Sequence, residues 1–180
     1  MRVFLFSLFV LSSLPSLSQE NEIDSLIQII NTCLPLDGDS CQTVIQELIK
    51  SVENSSNQRL YAHILIYAGE AYSDIGDFDK GERLLIKAKT ISESIGATTL
   101  DANSTDLLGI IALGQGNYQE AISYFVGSAK KWEEIGNKAE LAKVYSHSAT
   151  VFFNINELKK AQHYDSLIKD IAEELDDDQL

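Results

Sequence analysis

Proline is scarce in this chain: 180 residues contain only Pro15 and Pro35. A proline inside a helix removes a backbone donor and clashes with the preceding turn. Nothing of that kind interrupts the chain after residue 35. Cysteine is as scarce, with Cys33 and Cys41 alone, too few for a structural zinc site, which needs four ligands. The three histidines, His63, His147 and His163, fall on different predicted helices and read as ordinary helix-surface residues. Positive charge is in short supply, with 14 Lys and Arg against 27 Asp and Glu and a net charge of −13. That balance argues against nucleic-acid and anionic-lipid partners, both of which require a basic footprint. Strand-type alternation is missing throughout, and beyond the first residues no second long apolar run occurs.

The first residues stand apart. Met1-Arg2 is a minimal basic start, Val3 to Leu14 is mostly Phe, Leu and Val, and Pro15 then breaks the helix. Ser16-Leu17-Ser18 places small residues where a signal peptidase reads. Residues 1–18 are therefore expected to be a cleaved secretory signal, and the protein to be periplasmic or extracellular. The competing reading is an uncleaved anchor, but a 12-residue run falls short of the roughly 20 that span a bilayer. No Cys follows the run, so a lipoprotein is not expected, nor is stable membrane insertion after cleavage. From Gln19 onward 13 Lys and Arg face 27 Asp and Glu, a net of −14. The charge fits a self-repelling exported protein.

What the chain does have is an internal repeat. Gly69, Gly109 and Ala149 are 40 residues apart. Gly76, Gly116 and Asn156 share the same spacing, as do Phe78, Tyr118 and Leu158, and Gly81, Ala121 and Ala161. A fixed period of this size marks stacked supersecondary units rather than one closed core. Within a unit the periodicity is helical. Tyr118, Ala121, Ile122, Phe125, Ala129, Trp132 and Ile135 keep one face apolar in steps of three and four. Asp77 and Asn117 suit helix N-caps, and Gly96 and Gly136 suit left-handed C-caps.

Eight helices in four antiparallel pairs are predicted, near 21–34 and 40–54, 58–75 and 78–95, 99–115 and 118–135, and 138–154 and 157–175. The expected organisation is a signal at 1–18, a degenerate N-terminal hairpin at 19–56, three repeats over 57–175 (about 57–96, 97–136 and 137–175) and an acidic tail at 176–180. The fold class is all-α, a solenoid of stacked helix hairpins. Gly69 against Gly81, Gly109 against Ala121 and Ala149 against Ala161 are the pairs expected to let helix axes approach closely. The residues at 78, 118 and 158 are expected to plug each hairpin near its turn, with Tyr72 and Phe152 covering its inner face. The more polar last helix, carrying Asp165 and ending in Asp176-Asp177-Asp178, reads as the soluble terminal face that a solenoid needs.

Ala68-Gly69-Glu70-Ala71-Tyr72 leading to Ile75-Gly76-Asp77-Phe78 resembles a tetratricopeptide repeat (TPR), as does Gly109 through Gly116-Asn117-Tyr118-Gln119-Glu120-Ala121 with Phe125. The unit from Ala149 to Ile168 matches more loosely, with Asp165 where the pattern has an aromatic. The usual unit of this family is 34 residues and this one is 40, so the resemblance is to its longer variety. It implies binding on the concave face lined by the first helix of each hairpin. The family's groove positions correspond to His63, Ile66, Glu70 and Ser73, then Asn103, Asp106, Ile110 and Leu113, then Lys143, Ser146, Thr150 and Phe153. For the apolar positions Ile110, Leu113 and Phe153, packing against a neighbouring hairpin is an equal reading. Ile66, Asp106 and Ser146 lack the Lys, Arg and Asn of the subtype that clamps a terminal carboxylate, so a chaperone-tail receptor is not expected.

The sequence carries no nucleophile motif, phosphate loop, dinucleotide fingerprint or metal-ligand cluster. Asp37-Gly38-Asp39-Ser40 lacks the later ligands of a calcium loop and reads as a turn with an N-cap. The expectation is a non-enzymatic scaffold or adaptor, without cofactor or metal, that binds a protein or peptide partner. The alternative is a sensory or regulatory module of an envelope signalling system whose output domain lies elsewhere. Two readings of Cys33 and Cys41 stand: a disulfide favoured by an oxidising destination, or two small apolar side chains with Cys41 at the Ala position of the pattern. Export with cleavage is checked by mass spectrometry of the exported protein. Gln19 is the expected first residue, and an intact Met1 on a membrane-bound product contradicts the signal assignment.

Overall fold

The computed structural model describes residue 28 and residues 38–177. The signal segment, most of the predicted helix at 21–34, Cys33 and residues 178–180 lie outside the described residues, and so does the side chain of Cys41. Seven helices run through the described part: α1 (Gly38–Val52), α2 (Gln58–Asp74), α3 (Phe78–Ser94), α4 (Thr98–Gly114), α5 (Tyr118–Ile135), α6 (Lys138–Asn154) and α7 (Leu158–Asp177). No strand occurs among the described residues. The architecture is an α-solenoid in which each helix packs against its neighbours in sequence, and α4 also touches α2 and α6. Helix starts at 58, 98 and 138, and at 78, 118 and 158, keep the 40-residue period. One difference from the sequence reading is at the front, where α1 begins at Gly38, so Asp39 and Ser40 lie inside its first turn rather than in a loop.

The same chemistry ends each first helix. Gly76 N–H donates to Ser73 O at 2.9 Å and Asp77 N–H to Tyr72 O at 2.8 Å. Gly116 with Asn117, and Asn156 with Glu157, repeat both bonds. These Schellman closures need a left-handed residue, and φ is +83° at Gly76, +77° at Gly116 and +61° at Asn156. Asn tolerates that region better than other side chains, which is why the third unit manages without glycine. The helix starts are less uniform. Asp77 accepts from Lys80 N–H at 3.2 Å, and Asn57 and Asn137 cap α2 and α6 in the same way. Asn117, expected to cap α5, makes no side-chain cap bond; its amide donates instead to Gln115 Oε1 at 3.4 Å.

Packing inside each hairpin turns on one position of the first helix. A Cβ built on Gly69 would lie 2.7 Å from Leu85 Cγ and 3.1 Å from Gly81 O. One on Gly81 would lie 2.9 Å from Gly69 O, so these two backbones touch. At Gly109 the nearest atoms are those of the Phe125 ring, at 2.5, 2.7 and 3.0 Å, rather than Ala121. Leu85 and Phe125 occupy the same place in the repeat, sixteen residues beyond their glycines. In the last hairpin that place holds exposed Asp165, and Ala149 stands where the others have glycine. A seated core side chain excludes the methyl; an exposed Asp leaves room for it.

Contacts between hairpins follow from the second helices. A Cβ on Gly114 would meet Phe78 Cζ at 3.2 Å, so Phe78 reaches across to α4 of the next hairpin as well as serving its own turn. Leu158, its counterpart two units on, has no later hairpin among the described residues and is 49% exposed. Ile95 and Ile135, placed on the apolar face by periodicity, are also open to solvent because they sit at helix ends. Tyr72 and Phe152 are buried, each with a lysine ammonium over its ring at 5.1 Å, Lys80 and Lys160 respectively. The middle unit has Ala112 and Glu120 at these places and lacks the pair. Buried Asp101 at the start of α4 accepts from Lys131 Nζ of α5 at 3.0 Å and pairs with Lys89 Nζ of α3 at 3.3 Å. Burial pulls the Lys89 ammonium down, but Glu93 and Asp101 together outweigh it and raise its pKa above the ordinary lysine value. One carboxylate thus joins three consecutive helices.

Two glycines of similar appearance should respond in opposite ways to alanine. Gly109→Ala drives a methyl into the Phe125 ring and is expected to cost about 1–3 kcal/mol. At Gly127 the added Cβ meets only Thr105 Cγ2 at 3.7 Å, and the gain in helix propensity should stabilise by about 0.5–1 kcal/mol. Urea unfolding of the two variants checks this; midpoints shifted in the same direction contradict the packing described.

Candidate concave binding face

The first helices α2, α4 and α6 line one face of the stack, and residues 40 apart form rows that run across it. The row Glu70, Ile110, Thr150 and the row Ser73, Leu113, Phe153 lie toward the C-terminal ends of these helices. Phe153 is the most exposed large apolar side chain described, at 66%. Ile110 and Leu113 are half-buried and pack partly on the core, leaving an edge to solvent. Gly114 beside them is exposed, and the place of its missing side chain is taken by the Phe78 ring of α3. Toward the N-terminal ends, His63 and Asn103 are half-buried and Lys143 is exposed, its ammonium 2.6 Å from Glu140. Of the groove positions carried over from the family, Ile66 is not available: it is buried at 5% exposure within the core of α1–α4. Its repeat counterparts Asp106 and Ser146 are half-buried and exposed.

A contact that sequence reading missed crosses this face. His147 Nδ1 of α6 lies 3.0 Å from Asp106 Oδ1 of α4, and the His147 ring packs at 5.4 Å from that of Phe125. His147 reads as an isolated surface histidine in the sequence, yet a separation of 41 residues is one repeat plus one, which places it on the adjacent first helix. Tyr67 and Leu107 precede it at the same 40-residue interval and are half-buried as well. That column is the signal from which the contact could have been found. Two other side-chain groups lie off the rows: Asp101 and its lysines link hairpins, and Tyr145 donates to Glu133 Oε1 at 2.8 Å on the α5–α6 side. Burial and the Glu133 carboxylate push the Tyr145 pKa up to about 12, so it remains a donor.

Charge on the face is uneven. Glu70 and Asp74 sit one turn apart on α2 and form no ion pair with a described residue. Desolvation by the surrounding protein, and then the Asp74 carboxylate, raise the Glu70 pKa above its ordinary 4.5. His63 is shifted the other way, lowered first by burial and then by Arg59, and is neutral near pH 7. Asp106 is engaged by His147 and Lys143 by Glu140. The face is therefore acidic on balance, with Glu70 and Asp74 a turn apart on α2 and Arg59 a turn before His63 on the same helix. Among the described residues no group of three or more His, Cys, Asp or Glu could hold a metal ion, and no helix is long and apolar enough to cross a membrane.

A carboxyl whose folded-state pKa lies above the unfolded value has its full stability below the unfolded value and loses it as pH rises through the folded one. Glu70 carries such a penalty at pH 7. Glu70→Gln is expected to raise the urea midpoint at pH 7, and the gain should fade as pH drops through the ordinary carboxyl range. A variant no more stable than the parent at pH 7 contradicts the unpaired, desolvated state of Glu70.

Residues 60–126 match a family model described as tetratricopeptide repeat. No relative was found among curated proteins. Solved structures share the hairpin stack. Aspartyl phosphate phosphatase F from Bacillus subtilis is 13% identical, with 90% of this chain and 43% of that chain aligned at a TM-score of 0.75. A Rap protein complexed with competence and sporulation factor is 16% identical over 90% of this chain and 46% of that one, with a TM-score of 0.74. The Rap conjugation gene regulator of plasmid pLS20, in complex with a peptide, is 16% identical over 93% and 46%, with a TM-score of 0.72. This chain spans under half the length of these three proteins, and at such identities the likeness is one of fold. The matched segment, the Gly-Asp-Phe and Gly-Asn-Tyr turns and the shared hairpin geometry make the chain similar to tetratricopeptide repeat proteins, with the family match itself confined to residues 60–126.

Proposed function

We propose that this chain is a non-catalytic interaction module that holds a polypeptide segment along the concave face of α2, α4 and α6. The observation that carries the reading is Phe153, two-thirds exposed on that face beside the half-buried Ile110 and Leu113. Exposing a Phe forgoes about 1.5–3 kcal/mol of burial, and an apolar strip rimmed by polar groups is the ordinary form of a binding surface. Two structural neighbours are complexed with competence and sporulation factor and with a peptide, respectively, which supports a peptide as the class of ligand. The strongly acidic composition argues against nucleic acid. The amino-terminal sequence supports an extracytoplasmic setting, periplasmic or extracellular.

A second reading is a sensory or regulatory module. It is favoured by the neighbours' greater length, since a regulator and a signal-transduction ATPase with a repeat sensor embed a similar stack in a larger chain. Both readings place the ligand on the same face and differ only in what responds to it.

Selection of displayed peptides on the immobilised full chain tests the site. Selected binders are expected to lose about tenfold or more in affinity, roughly 1.4 kcal/mol or above, on Phe153→Ala. Val126→Ala, at an exposed apolar position on the second-helix side, should leave them unchanged. Binders sensitive to Val126 and indifferent to Phe153 contradict the concave site.

A further inference from the structure

The rows across the concave face are not uniform from one end to the other. On α2 they present Glu70, Ser73 and Asp74; on α4, Ile110, Leu113 and Gly114; on α6, Thr150, Phe153 and Asn154. Negative charge stands at one end, an apolar strip in the middle, and an exposed aromatic at the other. Elsewhere on this face Lys143 pairs with Glu140, Asp106 meets His147, which offsets its charge only when protonated, and Arg59 stands a turn before His63 near the start of α2. Glu70 and Asp74 are the two acids of the face that lie a turn apart, both exposed and in no ion pair among the described residues. Glu70 is the more telling of the two, because it is partly desolvated and lies beside a like charge, with no cation supplied by the described chain.

From this asymmetry we infer that the ligand is a short peptide with a basic head and an apolar tail, its head over Glu70 and Asp74 and its tail along Ile110 and Leu113 to Phe153. The inference rests on the concave-face reading above and adds the chemistry and direction of the occupant. Its length follows from geometry. From α2 to α6 is two helix spacings of roughly 8–10 Å each, which an extended chain at about 3.3 Å per residue covers in about six residues. A guanidinium or ammonium head gains from the unpaired carboxylates, and an acidic head meets them as like charges. The apolar tail covers the exposed face of Phe153.

The test uses the full chain and fluorescein-labelled hexapeptides: Arg-Arg-Ala-Leu-Leu-Phe, its reverse Phe-Leu-Leu-Ala-Arg-Arg, and Glu-Glu-Ala-Leu-Leu-Phe. Anisotropy titrations are run at low salt and in about 1 M salt, where charges on the face are screened within about 3 Å. The better of the two basic peptides is expected to bind at least about tenfold tighter than the acidic one at low salt. That ratio should fall to within about twofold in high salt and in the Glu70→Gln, Asp74→Asn double variant. The ratio should persist in an Asp79→Asn, Glu134→Gln control, which makes the same change of net charge elsewhere. Phe153→Ala should weaken basic and acidic peptides alike. Equal binding of basic and acidic peptides, still weakened by Phe153→Ala, overturns the charge inference and leaves the groove intact. A basic preference that survives in the Glu70, Asp74 variant traces to the general acidity of the protein and also overturns it. Binding that ignores Phe153, or no binding of any peptide at about 1 mM, a level worth only about 4 kcal/mol, overturns the groove reading as well.

Discussion

Everything in this molecule depends on how closely the two helices of a hairpin can approach. The first helix supplies a position without a side chain, Gly69 or Gly109, and the second helix fills it from sixteen residues downstream with Leu85 or Phe125. Interiors are packed at crystal-like density, so a single methyl at either glycine displaces the residue around which the hairpin is built. A hairpin of this size buries too little to fold alone, and stacking supplies the rest. Reach of Phe78 onto Gly114 and the shared Asp101 carboxylate carry the contact from one hairpin to the next.

Much of this architecture is legible in the repeat itself. Positions 40 apart share a role, so the left-handed turns at Gly76, Gly116 and Asn156 align by inspection of the sequence. Periodicity is less informative about which partner fills a given gap. It pairs small residues with small residues, which describes Gly69 and Gly81 but not Gly109, whose neighbour is the Phe125 ring. Burial of individual groove positions is equally out of its reach. Ile66 is buried although Asp106 and Ser146 at the same place are not, because the repeat position that holds His147 beside Asp106 is filled one unit earlier by the apolar Leu107, which packs on the same core cluster. Long-range polar pairs such as His147 with Asp106 stay hidden for a simpler reason: sequence shows the column but not the neighbouring helix.

The concave face illustrates how little polar chemistry a recognition surface needs in order to be directional. Lys143 pairs with Glu140 and Asp106 meets His147, while Glu70 and Asp74 at one end and Phe153 at the other stand exposed. Burial and the neighbouring Asp74 carboxylate raise the Glu70 pKa, although its side chain reaches solvent. Sites that carry strain or unsatisfied charge in the free state are where local rules of stability give way to function.

The exchange of a core side chain for Asp165 in the last hairpin has a consequence for how the array comes apart. In a linear stack, stability is the sum of each unit's own folding and its interfaces with neighbours. The α6–α7 unit has one neighbour among the described residues, no Leu or Phe seated at its Ala149 position, and a polar outer face. The α3–α5 segment has interfaces on both sides and is riveted by one carboxylate shared between two lysines. Amide protons of α7, on a unit with one described neighbour, should therefore exchange through a lower-energy opening than those of α4, which await global unfolding. Phe153 lies on α6 of that terminal unit, so occupation of the proposed site would tie the last hairpin to the rest of the stack.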